Sequence, residues 1–159
     1  MQRLRSLLSV AALITVAACG DPAGPGGDSS EVAVNRQKWR TNGFASYTMT
    51  MSRVCFCADV GPWLVVVFND SVVSATRVAD GRAADARSLP TINKLFDFID
   101  QAIQKPAAKI DAHYDPARGY PRAIDYDGSL NVADDELIYT VSNVTPLATT
   151  AGSASPAPH

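Results

Sequence analysis

The spacing of apolar residues predicts one clear amphipathic helix in the second half of the chain. Between Thr91 and Pro106, apolar residues recur at intervals of three and four, the repeat of a helix that buries one face. They are Ile92, Leu95, Phe96, Ile99 and Ile103. Thr91 is a typical N-cap residue, and Pro106 cannot continue the helix. We therefore expect this helix to pack its apolar face against the core.

A thinner apolar pattern near residue 30 predicts a second helix. Ser29 or Ser30 is the expected N-cap, and the helix is expected to end at about Thr41. Val32 and Trp39 are its main apolar anchors. This helix precedes the one described above in the chain.

Six segments have the patterns of β-strands, three after each predicted helix. They are residues 46–56, 62–68, 72–78, 109–114, 122–127 and 136–144. The order α-βββ-α-βββ predicts an α+β domain with an antiparallel sheet of about six strands and two helices on one face. The plan resembles an internal duplication, with a chance succession of elements as the alternative. The other sheet face is expected to be solvated or to meet a partner.

The pairing of the fourth and fifth strands follows from the turn between them. If the hairpin closes symmetrically around Arg118, Asp111 lies opposite Asp125 and Lys109 lies opposite Asp127. Facing carboxylates repel one another unless a cation lies between them. The register therefore predicts two carboxylates that face each other on the outward side of this hairpin.

The N-terminus has the pattern of a bacterial lipoprotein signal. Arg3 and Arg5 precede the apolar segment Leu7–Val16, which is too short to span a bilayer as a helix. Two alanines then precede Cys19, whose thiol can take a diacylglycerol before cleavage. The alternative is an ordinary secreted protein in which Cys19 is incidental. Gly20 rather than aspartate follows the cysteine, which favours the outer membrane in a Gram-negative cell.

The resemblance to bacterial lipoproteins implies three acyl chains on Cys19. Each buried CH₂ stabilises membrane attachment by ~0.8 kcal/mol, and a single chain anchors a protein only reversibly. Three chains would hold the protein at the membrane stably. Cys19 is therefore the expected membrane contact.

Low-complexity segments flank the predicted fold. We expect residues 1–18 to be a signal peptide, 19–30 a lipidated flexible tether, 31–146 a single α+β domain and 147–159 a disordered tail. The tether should have a root-mean-square span of roughly 17–20 Å.

The charge balance argues against a nucleic acid partner. The chain has 14 basic and 16 acidic side chains; residues 1–18 hold two of the basic ones and no acids, so the remainder has a net charge of −4. Nucleic acid binding requires clustered lysine and arginine. We expect the membrane, through Cys19, and an envelope protein as partners instead.

Cys55 and Cys57 remain when Cys19 is lipidated, and exported compartments favour disulfides. In a regular strand their Cβ atoms would lie ~6–7 Å apart. A disulfide holds them at about 4 Å, so it requires the strand to end or bulge at Phe56. Continued alternation would instead bury both sulfur atoms. The alternatives to a local disulfide are a reduced structural pair, an intermolecular disulfide, and a metal or redox site, although His113 is the one further soft ligand in the domain.

Five acidic residues cluster near the fifth and sixth strands. Their spacing partly resembles an EF-hand, but Leu130 stands where the sharp turn requires glycine, and predicted strands flank the loop. We expect a solvated acidic edge that discourages aggregation, with a looser calcium site as the alternative. The residues are Asp125, Asp127, Asp134, Asp135 and Glu136.

The sequence lacks the motifs of a catalytic site. His113 lies between Asp111 and Asp115, whereas His159 lies in the tail. There is no nucleophile elbow, phosphate loop or His-Glu metal motif. We therefore expect no enzyme activity, no cofactor and no metal; a hydrolase that uses His113 is the alternative.

Several motifs together resemble a family of bacterial envelope lipoproteins defined only as a domain of unknown function. The resemblance covers nearly the whole predicted domain, and its Cys-x-Cys and Tyr-Asp-Pro…Gly-Tyr-Pro signatures are the most specific. It implies an envelope location and transfers no activity. The topology is also similar to beta-lactamase-inhibitor-like and PepSY-type envelope domains, at the level of fold alone. The motifs are Arg36–Arg40, Ser46–Tyr47, Cys55–Cys57, Thr91–Ile92 with Leu95–Phe96, Tyr114–Pro116 with Gly119–Pro121, and Asp134–Glu136.

These observations predict a non-catalytic, lipid-anchored protein of the bacterial cell envelope. It would face the periplasm from the outer membrane if the cell is Gram-negative. Its expected role is a binding or interaction module that presents one sheet face. A thiol, metal or redox-linked role of Cys55 and Cys57 is the alternative.

Overall fold

The computed structural model describes residues 29–105, 109–129, 131–132 and 134–148. The signal segment, Cys19, Pro106, Leu130 and residues 149–159 lie outside these ranges. The helices are α1 (Ser29–Asn42) and α2 (Ile92–Gln104), with a short 3₁₀ helix at Ala86–Ser88. The strands are β1 (Tyr47–Val54), β2 (Trp63–Phe68), β3 (Ser71–Arg77), β4 (Lys109–Tyr114), β5 (Pro121–Asp127) and β6 (Leu137–Pro146).

The predicted α+β class and the order α-βββ-α-βββ are confirmed. One six-stranded sheet has the order β3-β2-β1-β6-β5-β4, and neighbouring strands pair antiparallel. Each group of three consecutive strands forms a meander. The two meanders join where β1 pairs with β6, with Thr50 opposite Ser142 and Val54 opposite Ile138.

Alternate residues of the strands build the core on the face that the helices cover. From Tyr47 to Ser52 of β1 and throughout β2 this alternation is strict, because every second side chain of a strand points to the same face. The buried residues of these two strands are Tyr47, Met49, Met51, Trp63, Val65 and Val67. Ile110 and Ala112 of β4 and Ile124 of β5 extend the core beneath the second meander.

The predicted apolar face of α2 is confirmed. Its buried residues are Ile92, Leu95, Phe96, Ile99 and Ala102, and Ile103 packs against the core while partly buried. The Thr91 hydroxyl accepts a hydrogen bond from the N–H of Lys94 at 3.3 Å, as expected of an N-cap. No helix in the described part of the chain is long and apolar enough to cross a bilayer.

Helix α1 is held by few but large contacts. Val32 and Trp39 are buried, as predicted, and the Trp39 indole meets the ring of Tyr47 edge-on, with the centroids 5.5 Å apart. The Arg36 guanidinium hydrogen bonds to Asp97 at 3.0 Å and to Asp100 at 2.6 Å, which ties α1 to α2. The thin apolar stripe is therefore supplemented by a bridge between the helices.

The turn between β4 and β5 approaches α1 closely at Gly119. This glycine has φ of 80°, and a Cβ atom there would collide with the backbone oxygen of Asn35. Glycine is required for both the backbone angle and the contact.

The predicted register of the β4–β5 hairpin is confirmed. Asp111 lies opposite Asp125, and Lys109 lies opposite Asp127. Lys109 reaches diagonally to the aspartate pair, and its Nζ lies 2.6 Å from the Asp125 carboxylate. That hydrogen bond raises the pKa of Lys109.

The boundaries of the three early strands differ from the prediction by one or two residues. Asn69 and Asp70 alone form the turn between β2 and β3, with φ of 46° and 58°, and Ser71 already pairs with Phe68. Strand β1 ends at Val54, so the predicted strand over 46–56 is two residues too long at that end.

The substitution Tyr47→Phe removes a buried hydroxyl group. It is expected to lower the free energy of unfolding by about 1–3 kcal/mol. The Tyr47 hydroxyl accepts a buried hydrogen bond of 2.9 Å from the N–H of Ile92, at the start of α2, and phenylalanine leaves that N–H without its acceptor. Urea unfolding at pH 7 measures the change. Unaltered stability would show that the hydrogen bond contributes nothing.

As the pH rises above 10, the Tyr47→Phe variant should lose less stability than the wild-type chain. Burial raises the pKa of Tyr47 above its ordinary value, whereas an unfolded tyrosine ionises at about pH 10. Above that pH the native state keeps a proton that the unfolded state releases, so stability falls as pH rises. Urea unfolding at several pH values above 10 measures this dependence. The free energy of unfolding should fall less steeply with pH for Tyr47→Phe than for the wild-type chain.

Candidate functional site

The sheet face opposite the helices is open in the described part of the chain. On this face the two central strands, β1 and β6, carry mainly hydroxyl side chains. Their cross-strand pairs are Thr48 with Thr145, Thr50 with Ser142, and Ser52 with Thr140. Leu64 and Phe68 of β2 lie on the same face, with 47% and 55% of their surface exposed. The open face is therefore a hydroxyl stripe bordered by exposed apolar residues.

One row across the open face changes from apolar to acidic. Val54 of β1 pairs with Ile138 of β6, and Ile138 pairs with Asp125 of β5. The row lies at the end of the sheet where β1 stops. Two loops meet there, one containing Cys55–Cys57 and one containing Asp134–Glu136.

Cys55 and Cys57 form a disulfide, which confirms the expected local bond. The chain leaves the sheet after Val54 and turns, and the N–H of Cys57 donates to the carbonyl of Cys55 at 2.8 Å. The turn brings the two Cα atoms within 5.3 Å of each other. The alternative, in which strand alternation continues and buries both sulfur atoms, is wrong. Cys57 is exposed and Cys55 is only partly buried.

Asp59 anchors the segment that follows the disulfide. Its carboxylate accepts hydrogen bonds from the Trp63 indole at 3.2 Å and from Arg77 at 3.1 Å. Its carbonyl oxygen accepts a bond of 3.1 Å from Arg53 Nε. The loop is thus tied to three strands, since Arg53 belongs to β1, Trp63 to β2 and Arg77 to β3.

Close packing on Trp63 also requires Gly61. Gly61 has φ of 81°, and a Cβ atom there would lie 2.7 Å from the indole ring. A side chain at this position would displace the loop from the tryptophan. Loop, disulfide and core are therefore coupled.

Phe56 is the residue that this loop holds outward. Its surface is 84% exposed, although it lies between two bonded cysteines and next to Val54, which is 62% exposed. An exposed aromatic residue beside other apolar side chains is a common feature of binding surfaces. The loop therefore presents an apolar surface instead of burying it.

The five clustered acidic residues have separate roles. Asp125 pairs with Lys109, and Asp127 accepts a bond of 3.0 Å from the N–H of Ser129 in its own turn. Asp135 is partly buried and lies over Gly128, where a Cβ atom would be 2.7 Å from its carboxylate.

Asp134 and Glu136 are exposed and border the row described above. Asp134 has φ of 77°. Of the described residues, no group of three or more His, Cys, Asp or Glu side chains is placed to hold a metal ion.

The two loops and the apolar-to-acidic row border an open cavity of about 410 Å³. It combines an apolar wall with an acidic wall. The lining residues are Val54, Cys55, Phe56, Asp125, Asp134, Glu136 and Ile138.

His113 does not line this cavity. Its Nε2 atom lies 3.8 Å from the Asp111 carboxylate, and 68% of its side chain is exposed. His113, the residue that the alternative hydrolase function would use, thus lies on strand β4, apart from the cavity.

The cysteine pair and the acidic cluster stand out in the sequence, but no sequence pattern brings them together. Nor does a pattern indicate the place of Phe56 and Ile138 in the site or the anchoring role of Asp59. The β1–β6 pairing joins these segments, and no short turn connects those strands. The one available signal was the apolar pair flanking Cys55, because Val54 and Phe56 have the same parity as the polar residues Thr50 and Ser52.

The model of a family of unknown function, DUF6174, matches residues 31–146. The chain belongs to this family. The expected membership in a domain-of-unknown-function family is confirmed, whereas the lipoprotein character remains a prediction. No curated protein and no solved structure is significantly similar to this DUF6174 chain. Its function is therefore inferred from the geometry of the open face.

Trypsin provides a direct test of the disulfide. Cleavage after Arg53 and Arg77 releases one peptide that contains both Cys55 and Cys57. Without reductant, this peptide should resist alkylation and weigh about 2 Da less than the dithiol, because two hydrogens are lost on oxidation. Mass spectrometry before and after reduction measures the mass of the peptide and its alkylation. A peptide that is alkylated without reductant, or linked to another peptide, would contradict the local disulfide.

Proposed function

We propose that this DUF6174 protein is a non-catalytic binding module of the bacterial cell envelope. It is held at the membrane by lipid on Cys19 and contacts a partner protein with the open face of its sheet. If the cell is Gram-negative, it faces the periplasm from the outer membrane. The observation that carries the proposal is the open face, which joins exposed apolar side chains to a cavity.

The distribution of apolar surface supports binding at this face. Leu64 and Phe68 point away from the helices, and Val54 and Phe56 are exposed beside the cavity at the end of the sheet. Isolated exposed apolar residues are ordinary, but neighbouring ones beside a concave site are typical of interaction surfaces. A partner that covers this face would remove that surface from water.

The chemistry of the cavity supports recognition rather than catalysis. Cys55 is engaged in the disulfide, so it is not a free nucleophile. Asp125 is paired with Lys109. The other polar side chains that line the cavity are the carboxylates of Asp134 and Glu136. These groups suit the binding of a cation or a hydrogen-bond donor.

The N-terminal pattern supports attachment at the envelope. Cys19 follows a basic segment and a short apolar segment, and a stretch rich in glycine and proline separates it from α1. Such a linker lets a tethered domain orient freely toward its partner. The lipid would position the module, and the sheet would supply the recognition.

Cys19→Ser is expected to move the protein from the membrane fraction to the soluble fraction. The substitution removes the thiol that takes the acyl chains, and without acyl chains no lipid anchor remains. Cell fractionation and immunoblotting measure the distribution, with Cys57→Ser as the control that should stay at the membrane. Membrane retention of Cys19→Ser would contradict the lipid anchor.

A photo-crosslinking amino acid at Leu64 is expected to form a discrete adduct with a protein partner in living cells. The matched control is Val34, an exposed apolar residue of α1, on the side of the molecule that carries the helices. Immunoblots should show a reproducible band from position 64 and none from position 34. No adduct at 64, or the same adducts at both positions, would contradict binding through the open face.

A further inference from the structure

We infer that the cavity beside the Cys55–Cys57 loop binds a lysine or arginine side chain on an extended segment of the partner protein. The inference rests on the proposed function, because it takes the partner to lie on the open face. It goes further by giving the chemistry of the contact. The apolar wall takes the stem of the basic side chain, and the acidic wall takes its charged head.

The apolar wall is formed by side chains from three parts of the chain. Val54 and Ile138 are cross-strand neighbours at the end of the open face, and Phe56 projects beside them from the loop. An aromatic ring that is 84% exposed can stack against methylene groups, and its face attracts a nearby cation. This wall therefore suits the long stem of a lysine or arginine.

The acidic wall carries charge that the described part of the chain does not neutralise. Asp125 has its cation in Lys109, but no salt bridge joins Asp134 or Glu136 to a described basic residue. Two carboxylates thus border an apolar surface with no cation between them. A bound cation would supply the partner that they lack among the described residues.

A basic side chain is the occupant that matches both walls. A purely apolar segment would cover Val54 and Phe56 but would also draw the two carboxylates out of water without a partner, which is unfavourable. A small inorganic cation would meet the carboxylates and leave the apolar wall exposed. Lysine and arginine combine an apolar stem with a cationic head.

The loop is held in place before any ligand arrives. The disulfide closes it, and Asp59 ties it to Trp63 and Arg77. The backbone that carries Phe56 consequently has little freedom to lose on binding, and such preorganisation favours affinity. The cavity therefore has the rigidity that a recognition pocket for one side chain needs.

Fluorescence anisotropy with two labelled peptides tests the inference on the full chain isolated from membranes in non-ionic detergent. Both probes alternate valine and threonine around one central residue, which is arginine in the first and citrulline in the second. Citrulline keeps the shape of arginine but has no charge. The arginine peptide should bind at least about fivefold more tightly, and the difference should shrink at high salt. Equal affinity for the two peptides would overturn the inference.

The double variant Asp134→Asn with Glu136→Gln should bind both peptides with the affinity that the wild-type chain has for the citrulline peptide. Asparagine tolerates the positive φ of position 134, so the loop should keep its conformation. The matched control is Asp70→Asn with Asp80→Asn, which also removes two charges and includes a positive-φ aspartate outside the cavity. Equal thermal melts would show that both variants fold. Unchanged binding by the Asp134/Glu136 variant would contradict the inference.

Crosslinking from position 64 separates this inference from the proposed function. If the Asp134/Glu136 variant gives the adduct at wild-type strength, the basic-side-chain contact is wrong while the open face remains the interface. If the wild-type chain gives no adduct, the proposed function itself fails. If the Asp134/Glu136 variant loses the adduct and the Asp70/Asp80 control keeps it, the result supports both the open face as the interface and the contact with a basic side chain.

Discussion

The antiparallel pairing of β1 with β6 is the interaction on which the rest of the structure depends. Each half of the chain makes a helix and a three-stranded meander, and this pairing merges the two meanders into one sheet. A three-stranded meander with one helix buries little apolar surface, whereas the joined sheet gives both helices a common core. Met49, Met51 and Val141 lie in that core close to the junction. The same pairing places Val54 beside Ile138, so it also creates the cavity.

The difference between the two faces of the sheet follows from strand alternation. Trp63 and Val65 point to the helices and are fully buried, and Leu64 between them is almost half exposed. A chain of this length can cover one face of six strands with two helices, but the second face stays open in the described structure. Its hydroxyl groups satisfy one another in part, as Thr48 and Thr145 do at 2.8 Å. That face is consequently both stable in water and available to a partner.

The Cys55–Cys57 loop connects a local covalent constraint with the proposed recognition. The strand ends at Val54, the chain turns, and the disulfide closes the turn. Phe56 has the same parity as Val54, so it stays on the side of the sheet opposite the core. Asp59 completes the arrangement by linking the loop to Trp63 and Arg77. The exposed aromatic residue is thus held at the end of the open face by a closed and anchored loop.

The sequence by itself determined the elements and their order, because helix and strand periodicities are local properties of neighbouring residues. It also determined the Asp111–Asp125 pairing, since a short turn sets the register of a hairpin. Only the tertiary structure decided that the Cys55–Cys57 loop meets Asp134 and Glu136. That contact depends on pairing between strands far apart in the chain, where burial of the whole core selects the partner and no local signal does.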